Sequence, residues 1–312
     1  MKKTILVTAR LLPPEHAELE RLFDTVTLWK VKDPEAAIRT HKSNIEGIAT
    51  GMMKVDRSLM EALPNLEIIS TNSVGVDHID LHAAKERGIV VTNTPDVLTD
   101  CTADTALCLL LAVSRRVCEA DMFVRVGKWR AGEEMPLGVS PNGKTAGIVG
   151  LGRIGKAIAR RCEAFGMKIA YQGPNKKDVP YTYYSGIEEM ARDSDYLILS
   201  CRGGEATKGL VNASVLRALG PKGFLINVSR GTVVDEPALV EALVNGTIAG
   251  AGLDVFLNEP NVPGELISMD NVVLLPHIGS ATIETRTKMG RLVIGNLLAH
   301  FKGEKLLTPI AA

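Results

Sequence analysis

Apolar residues in this chain come in short blocks rather than in one continuous alternation. TILVTA (4–9), IEGIAT (45–50), LEIIST (66–71) and GIVVTN (88–93) are compact runs rich in Ile and Val. Such runs mark strands buried on both faces. PEHAELERLF, DRSLMEAL and DLHAAKERG lie between them with helix-like spacing. Each begins with Asp or Pro, as capping and the helix dipole favour. A second series follows: TAGIVG, MKIAYQG, YLILSC, GFLINVS, AGAGLDVF and NVVLLPH. Strands alternating with helices predict parallel sheets covered on both faces. Two series predict two such α/β units, each a doubly wound parallel sheet.

Residues 99–126, TDCTADTALCLLLAVSRRVCEADMFVRV, join the two series without a Gly or Pro. The pattern predicts one long helix, capped by Thr99 or Asp100 and buried between domains or against another subunit. ETRTKMGRLVIGNLLAHF, after the last strand, predicts a further helix that the pattern assigns to neither unit.

Charge narrows the range of partners. Lys plus Arg and Asp plus Glu both total 36, so the formal net charge is zero. No global field draws the chain to nucleic acid or to an anionic membrane. Arg10 and the Pro13–Pro14 pair interrupt the apolar stretch near the N-terminus, which argues against a signal peptide. Cys101, Cys108, Cys118, Cys162 and Cys201 lack metal-ligand spacing. They predict reduced thiols in a cytoplasmic protein, with no metal site.

The first candidate chemistry lies at Gly150-Leu151-Gly152-Arg153-Ile154-Gly155. This G-x-G-x-x-G follows an apolar strand, opens an amphipathic helix and precedes another strand, the context a dinucleotide loop requires. Gly150 permits the tight turn, Gly152 lets a diphosphate approach the backbone, and Gly155 allows close helix packing. Arg153 and Ile154 complete the loop. An NAD-specific site ends its second strand in a carboxylate that binds the ribose 2′-hydroxyl. The corresponding Tyr171-Gln172-Gly173-Pro174-Asn175 has no acid, and Lys176 and Lys177 follow. NADP is therefore favoured over NAD, with Gly173, Asn175 and Lys176 as contacts.

The second chemistry lies at strand ends, where doubly wound sheets bind ligands. FLINVSRG ends near Arg230, GLDVF carries Asp254, NEP carries Glu259, and VVLLPHIGS carries His277. Asp254 is placed among the cofactor contacts. Arg230, Glu259 and His277 fit hydride transfer to a 2-oxo acid. The Arg fork holds a carboxylate and polarises the carbonyl. His277 protonates the forming alkoxide. Glu259 favours its charged form.

GLGRIG, NVSRGTVVDEPAL, GAGLDVFLNEP and LLPHIGSAT, in this order and spacing, resemble the signature segments of the D-2-hydroxyacid dehydrogenase family. Within it the chain is most similar to the glyoxylate/hydroxypyruvate reductases, including the hydroxyphenylpyruvate reductase-like branch. The resemblance implies two Rossmann-like or flavodoxin-like domains with a cleft between them. Residues 98–284 would form the dinucleotide domain, and residues 1–97 with 285–312 the substrate domain. It also implies that the amides around Val74, Gly75 and Val76 bind the substrate carboxylate. Met52 or Met53 would lie near the substrate tail. Trp129 would reach the active site of a partner subunit, in a homodimer. Arg202-Gly203-Gly204-Glu205 departs from the family's Pro-Leu-Thr type segment, and Pro174 stands where NADP-using relatives often carry Arg.

The expected activity is NAD(P)H-dependent reduction of glyoxylate, hydroxypyruvate or a similar 2-oxo acid to the D-2-hydroxy acid. 2-Ketogluconate or aryl-pyruvate reduction is the alternative within this class. A dinucleotide-sensing corepressor is the alternative outside it. Glu259 argues against a formate dehydrogenase-like relative, where glutamine partners the histidine.

Overall fold

A computed structural model describes residues 2–310; Met1, Ala311 and Ala312, at the ends of the expected substrate domain, lie outside the described residues. The chain divides into two compact units. One runs to Leu98 and resumes at Ala281; the other spans Thr99–Ser280.

In the first unit, β1 (Thr4–Val7), β2 (Asp24–Thr27), β3 (Ile45–Thr50), β4 (Ile68–Thr71) and β5 (Val90–Thr92) pair in parallel in the order β2-β1-β3-β4-β5. This is the flavodoxin-like order. Helices α1 (Pro13–Leu22), α2 (Pro34–His41), α3 (Arg57–Ala62) and α4 (Leu81–Glu86) make the crossovers. Asp33, Asp56 and Asp80 cap the last three by accepting the amides of Ala36, Leu59 and Ala83.

The apolar blocks are continuous because both sheet faces are covered. Leu6, Ile48 and Ile69 enter one core, while Ile5, Val7, Ala49 and Ile68 enter the other. Burying each such Ile or Leu contributes about 1.5–3 kcal/mol. The second core is completed by Val293, Ile294 and Leu297 of the C-terminal helix Ile283–Lys302, which thereby belongs to this unit.

The second unit begins with α5 (Thr99–Ser114) and α6 (Val117–Arg125). The single helix expected over 99–126 is thus broken. Arg116 sits in the left-handed region (φ 53°), and the Ser114 hydroxyl bonds the Leu110 carbonyl and the Tyr196 hydroxyl. A buried hydroxyl competing for backbone groups weakens helical continuity. Neither Gly nor Pro marks the site in the sequence.

Strands β6 (Thr145–Val149), β7 (Lys168–Gln172), β8 (Thr182–Tyr184), β9 (Tyr196–Leu199), β10 (Phe224–Asn227), β11 (Gly250–Leu253) and β12 (Val272–Leu274) form a seven-stranded parallel sheet. Its order, β12-β11-β10-β9-β6-β7-β8, reverses direction at β6. The intervening helices are α7 (Arg153–Ala164), α8 (Ile187–Arg192), α9 (Ala213–Leu219), α10 (Glu236–Val244) and α11 (Gly264–Ile267). Both units are the doubly wound parallel sheets that the pattern predicts.

Candidate active site

Beyond β6, at the point where strand order reverses, the chain turns through Gly150 (φ 92°) into α7. A Cβ on Gly150 would lie 2.7 Å from Cys201 Cα, and one on Gly155 would strike the Gly150 carbonyl oxygen. A Cβ on Gly152 would meet nothing within 4 Å. Gly150 and Gly155 are thus required by the protein's own packing. Gly152, the N-cap of α7, faces open space where a Cβ would obstruct only a ligand. The α7 N-terminus begins at Arg153 and Ile154, and its amides and dipole favour an anion.

Beyond β7, Gly173, Pro174, Asn175 and Lys176 form a bend tied down by two tyrosines. The buried Tyr171 hydroxyl accepts the Lys177 amide at 2.7 Å, and the Tyr183 hydroxyl donates to the Gly173 carbonyl at 3.2 Å. Asn175 and Lys176 project from this bend, both exposed. Arg202, Gly203 and Gly204 form a bend beyond β9, with Thr207 Oγ1 bonding the Arg202 carbonyl at 2.7 Å.

Three strand ends carry the remaining polar set. After β10, Asn227 accepts the Ser229 amide and donates to the Arg230 carbonyl, each at 3.0 Å. Arg230 Nη1 donates to the Ser229 carbonyl at 2.9 Å. Gly231 follows because any Cβ there would collide with the Phe256 backbone. That contact brings the Arg230 loop against the 254–259 segment.

After β11, Asp254 is only 1% exposed. Its Oδ1 accepts the Ile278 amide at 2.6 Å and its Oδ2 the Gly279 amide at 2.7 Å. Its carbonyl accepts the His277 amide at 2.9 Å. These three bonds hold His277 at φ 54°, a conformation costly for a residue with a Cβ. Burial pushes the Asp254 carboxyl up, against the opposing pull of the two amides. Asp254 was expected among the cofactor contacts; what its carboxylate holds here is the turn beyond β12.

Glu259 Oε2 accepts from His277 Nδ1 at 2.8 Å, and Oε1 accepts the Phe256 amide at 3.1 Å. Burial raises this carboxyl, but the His277 hydrogen bond and charge, the Phe256 amide and the Arg230 charge outweigh it, so it lies below its ordinary value. With Nδ1 committed to Glu259, Nε2 is the ring nitrogen left for a proton acceptor. About a third of the His277 side chain (31%) is exposed.

In the first unit, Val74, Gly75 and Val76 follow β4 and are half-buried, while Met52, after β3, is 48% exposed. Trp129 lies in the segment after α6 and is 71% exposed. Two groups that sequence reasoning passed over, Ser73 and Asn93, bond the 74–76 loop. Ser and Asn beside a strand end carried no distinguishing signal.

Comparison with known proteins identifies the family. Residues 107–279 match the family described as D-isomer specific 2-hydroxyacid dehydrogenase, NAD binding domain. Glyoxylate/hydroxypyruvate reductase A of Arabidopsis thaliana is 50% identical, over 94% of both chains. Hydroxyphenylpyruvate reductase of Plectranthus scutellarioides is 48% identical over the same shares. The crystal structure of an NADPH-dependent glyoxylate/hydroxypyruvate reductase from Sinorhizobium meliloti, in complex with NADP and malonate, superposes with a TM-score of 0.91. It is 47% identical, covering 100% of this chain and 97% of that one. A match over more than half of the chain, and relatives this similar along nearly all of it, place this protein in the D-isomer specific 2-hydroxyacid dehydrogenase family.

Proposed function

We propose that this chain is an NADPH-preferring reductase of small 2-oxo acids, acting on glyoxylate or hydroxypyruvate and forming the D-2-hydroxy acid. The observation that carries this reading is the 2.8 Å His277–Glu259 pair in a turn built around buried Asp254. When bound, the nicotinamide supplies the hydride. His277 Nε2 donates a proton to the carbonyl oxygen as it becomes an alkoxide. Glu259 stabilises the imidazolium before transfer and orients the ring. The Arg230 guanidinium polarises the carbonyl and holds the carboxylate, with Val74, Gly75 and Val76 completing carboxylate binding. Met52 faces the substrate tail. Asp254 acts through the turn that positions His277.

Gly150, Gly152, Arg153, Ile154 and Gly155 take the cofactor diphosphate. Gly173, Asn175 and Lys176 take the adenosine ribose and its 2′-phosphate. Two facts support NADP: the end of β7 has no carboxylate before Asp178, and the Sinorhizobium meliloti relative is described as NADPH-dependent. The unit Thr99–Ser280, for which 98–284 was the expected range, serves as the dinucleotide domain and the other unit as the substrate domain. The 48% identity to a hydroxyphenylpyruvate reductase favours aryl-pyruvates as a second substrate class.

The chain works as a homodimer, joined through α6 and the segment after it. Met122 (56% exposed), Trp129 and Leu137 (95%) present an apolar surface there that a second copy would cover, bringing Trp129 to the partner's active site. Sedimentation at twice the 33.5 kDa of one chain checks this. Among the described residues no helix is long and apolar enough to cross a membrane, and no disulfide links the cysteines; the cytoplasm suits its thiols.

Initial rates with NADPH and NADH over glyoxylate, hydroxypyruvate, 2-ketogluconate and hydroxyphenylpyruvate test the proposal. The expected result is turnover with at least about tenfold preference for NADPH, the worth of one charge-assisted contact. An NADH preference would overturn the cofactor assignment alone. Dinucleotide binding without turnover of any 2-oxo acid would overturn the activity and favour a sensing role.

A further inference from the structure

The loop after β4 is built around its carbonyls. Four successive carbonyls, from Ser73 to Val76, each accept a donor from within the first unit. The Ser73 carbonyl accepts the Thr94 amide at 2.9 Å, and that of Val76 accepts the Ile79 amide at 2.9 Å. Between them, the Val74 carbonyl accepts Asn93 Nδ2 at 2.9 Å, and the Gly75 carbonyl accepts Ser73 Oγ at 2.6 Å. The peptide unit is planar and trans, so each N–H points opposite to the carbonyl of the preceding residue. Tying the Val74 and Gly75 carbonyls to the protein therefore turns the Gly75 and Val76 amides the other way. Among the described residues, the amides of Val74, Gly75 and Val76 meet no acceptor. Consecutive outward amides of this kind suit an anion with two oxygens.

The outer carbonyls of this loop are held by backbone donors, the inner two by side chains. Ser73 has one hydroxyl proton, and it goes to Gly75. Its 2.9 Å contact with Thr71 Oγ1 therefore has Ser73 accepting. Thr71 Oγ1 in turn lies 3.1 Å from His78 Nε2. Thr71 Oγ1 shares its one proton with the Gly51 carbonyl, at 3.2 Å; the direction of the Ser73 bond is fixed by the Gly75 carbonyl, which can only accept.

We infer that Ser73 and Asn93 are positioning residues that set affinity for the substrate carboxylate by orienting the Gly75 and Val76 amides. The inference rests on the proposed reading of Val74–Val76 as the carboxylate loop. Neither side chain has to touch substrate. Without Ser73 Oγ or Asn93 Nδ2, the freed carbonyl can rotate outward and present a partial negative charge where the carboxylate would bind.

The test uses the full-length enzyme with NADPH bound, and oxamate as a non-reducible analogue of a 2-oxo acid. In the wild type, 15N spectra should show the Gly75 and Val76 amides shifting on oxamate addition. In Ser73→Ala and Asn93→Ala, KM for the 2-oxo acid and Kd for oxamate should each rise about tenfold, the worth of one hydrogen bond to a charged group. kcat should stay within about threefold and NADPH affinity should be unchanged, a split that general loosening of the fold would not produce. Ser73→Thr keeps the hydroxyl and should restore wild-type KM. If the wild-type amides do not move, the carboxylate reading fails and the inference with it. If they move and both variants bind oxamate as the wild type does, the inference alone is overturned.

Discussion

Past β12 the chain turns through His277 with three backbone amides donating to Asp254, whereas past β4 it runs through Val74–Val76 with its carbonyls tied inward. Both loops lie at the carboxyl ends of parallel strands. In the first, a buried carboxylate satisfies the backbone so that a side chain is presented. In the second, side chains satisfy the carbonyls so that the backbone is presented. The difference follows from what each loop does in the proposed reaction. Moving a proton needs a group that titrates, which no amide does near neutral pH; holding a carboxylate needs only fixed donors, which amides supply without side-chain entropy. Pairing with a carboxylate does not by itself distinguish His277. His82 and His300 also pair with acids, each at 3.2 Å, but His82 is helical and His300 lies in the last turn of a helix. His277 alone among these three has the strand-end position and positive φ.

The sharpest way to break this comparison is His277→Ala. Removing a general acid costs about 10²–10⁴-fold in rate, so kcat should fall by about that factor while NADPH affinity, read by fluorescence titration, holds within twofold. Near-wild-type turnover would show that the His277 turn has no such role. A smaller effect separates glycines that serve the ligand from those that serve the fold. Gly152→Ala adds a methyl in open space; thermal melting without cofactor should be unchanged and Kd for NADPH should rise about tenfold, one lost diphosphate contact. Gly155→Ala drives a methyl into the Gly150 carbonyl, and overpacking of this kind costs about 1–3 kcal/mol in stability. Equal melting losses in both variants would remove the distinction.

How much of this was legible in the sequence tracks the same divide. Buried central strands were readable because burial on both faces forces apolar runs, and the placement of Arg230, Glu259 and His277 beyond strand ends was readable because each follows one of those runs. β2 and β8 were missed. They are edge strands, DTVT and TYY, each with only one strand neighbour and with polar or aromatic positions left partly exposed. The break at Arg116 was missed because a left-handed residue other than Gly leaves no mark in composition. Ser73 and Asn93 were missed because what they do is turn a peptide plane, and any polar residue with the right reach does that. Asp254 reads from the sequence as a cofactor contact; that its carboxylate also accepts the Ile278 and Gly279 amides was not legible, because those partners lie in a different loop.

The smallest effect concerns Glu259, and its sign is fixed by the direction of its shift. Folding lowers this carboxyl below its ordinary value of 4.5, so its ionised form is favoured in the folded protein. The stability this confers is present above that ordinary value and is lost as pH falls through the lowered one. Asp254 shifts the other way, so its contribution grows on acidification and opposes that of Glu259 in the wild type. Glu259→Gln retains Asp254, whose contribution therefore largely cancels when the two proteins are compared. Urea unfolding at pH 5.5 and at pH 3 should show the wild-type advantage over Glu259→Gln shrinking at the lower pH. An advantage constant across that range would mean that the 2.8 Å contact orients His277 without drawing stability from the ionised Glu259 carboxylate.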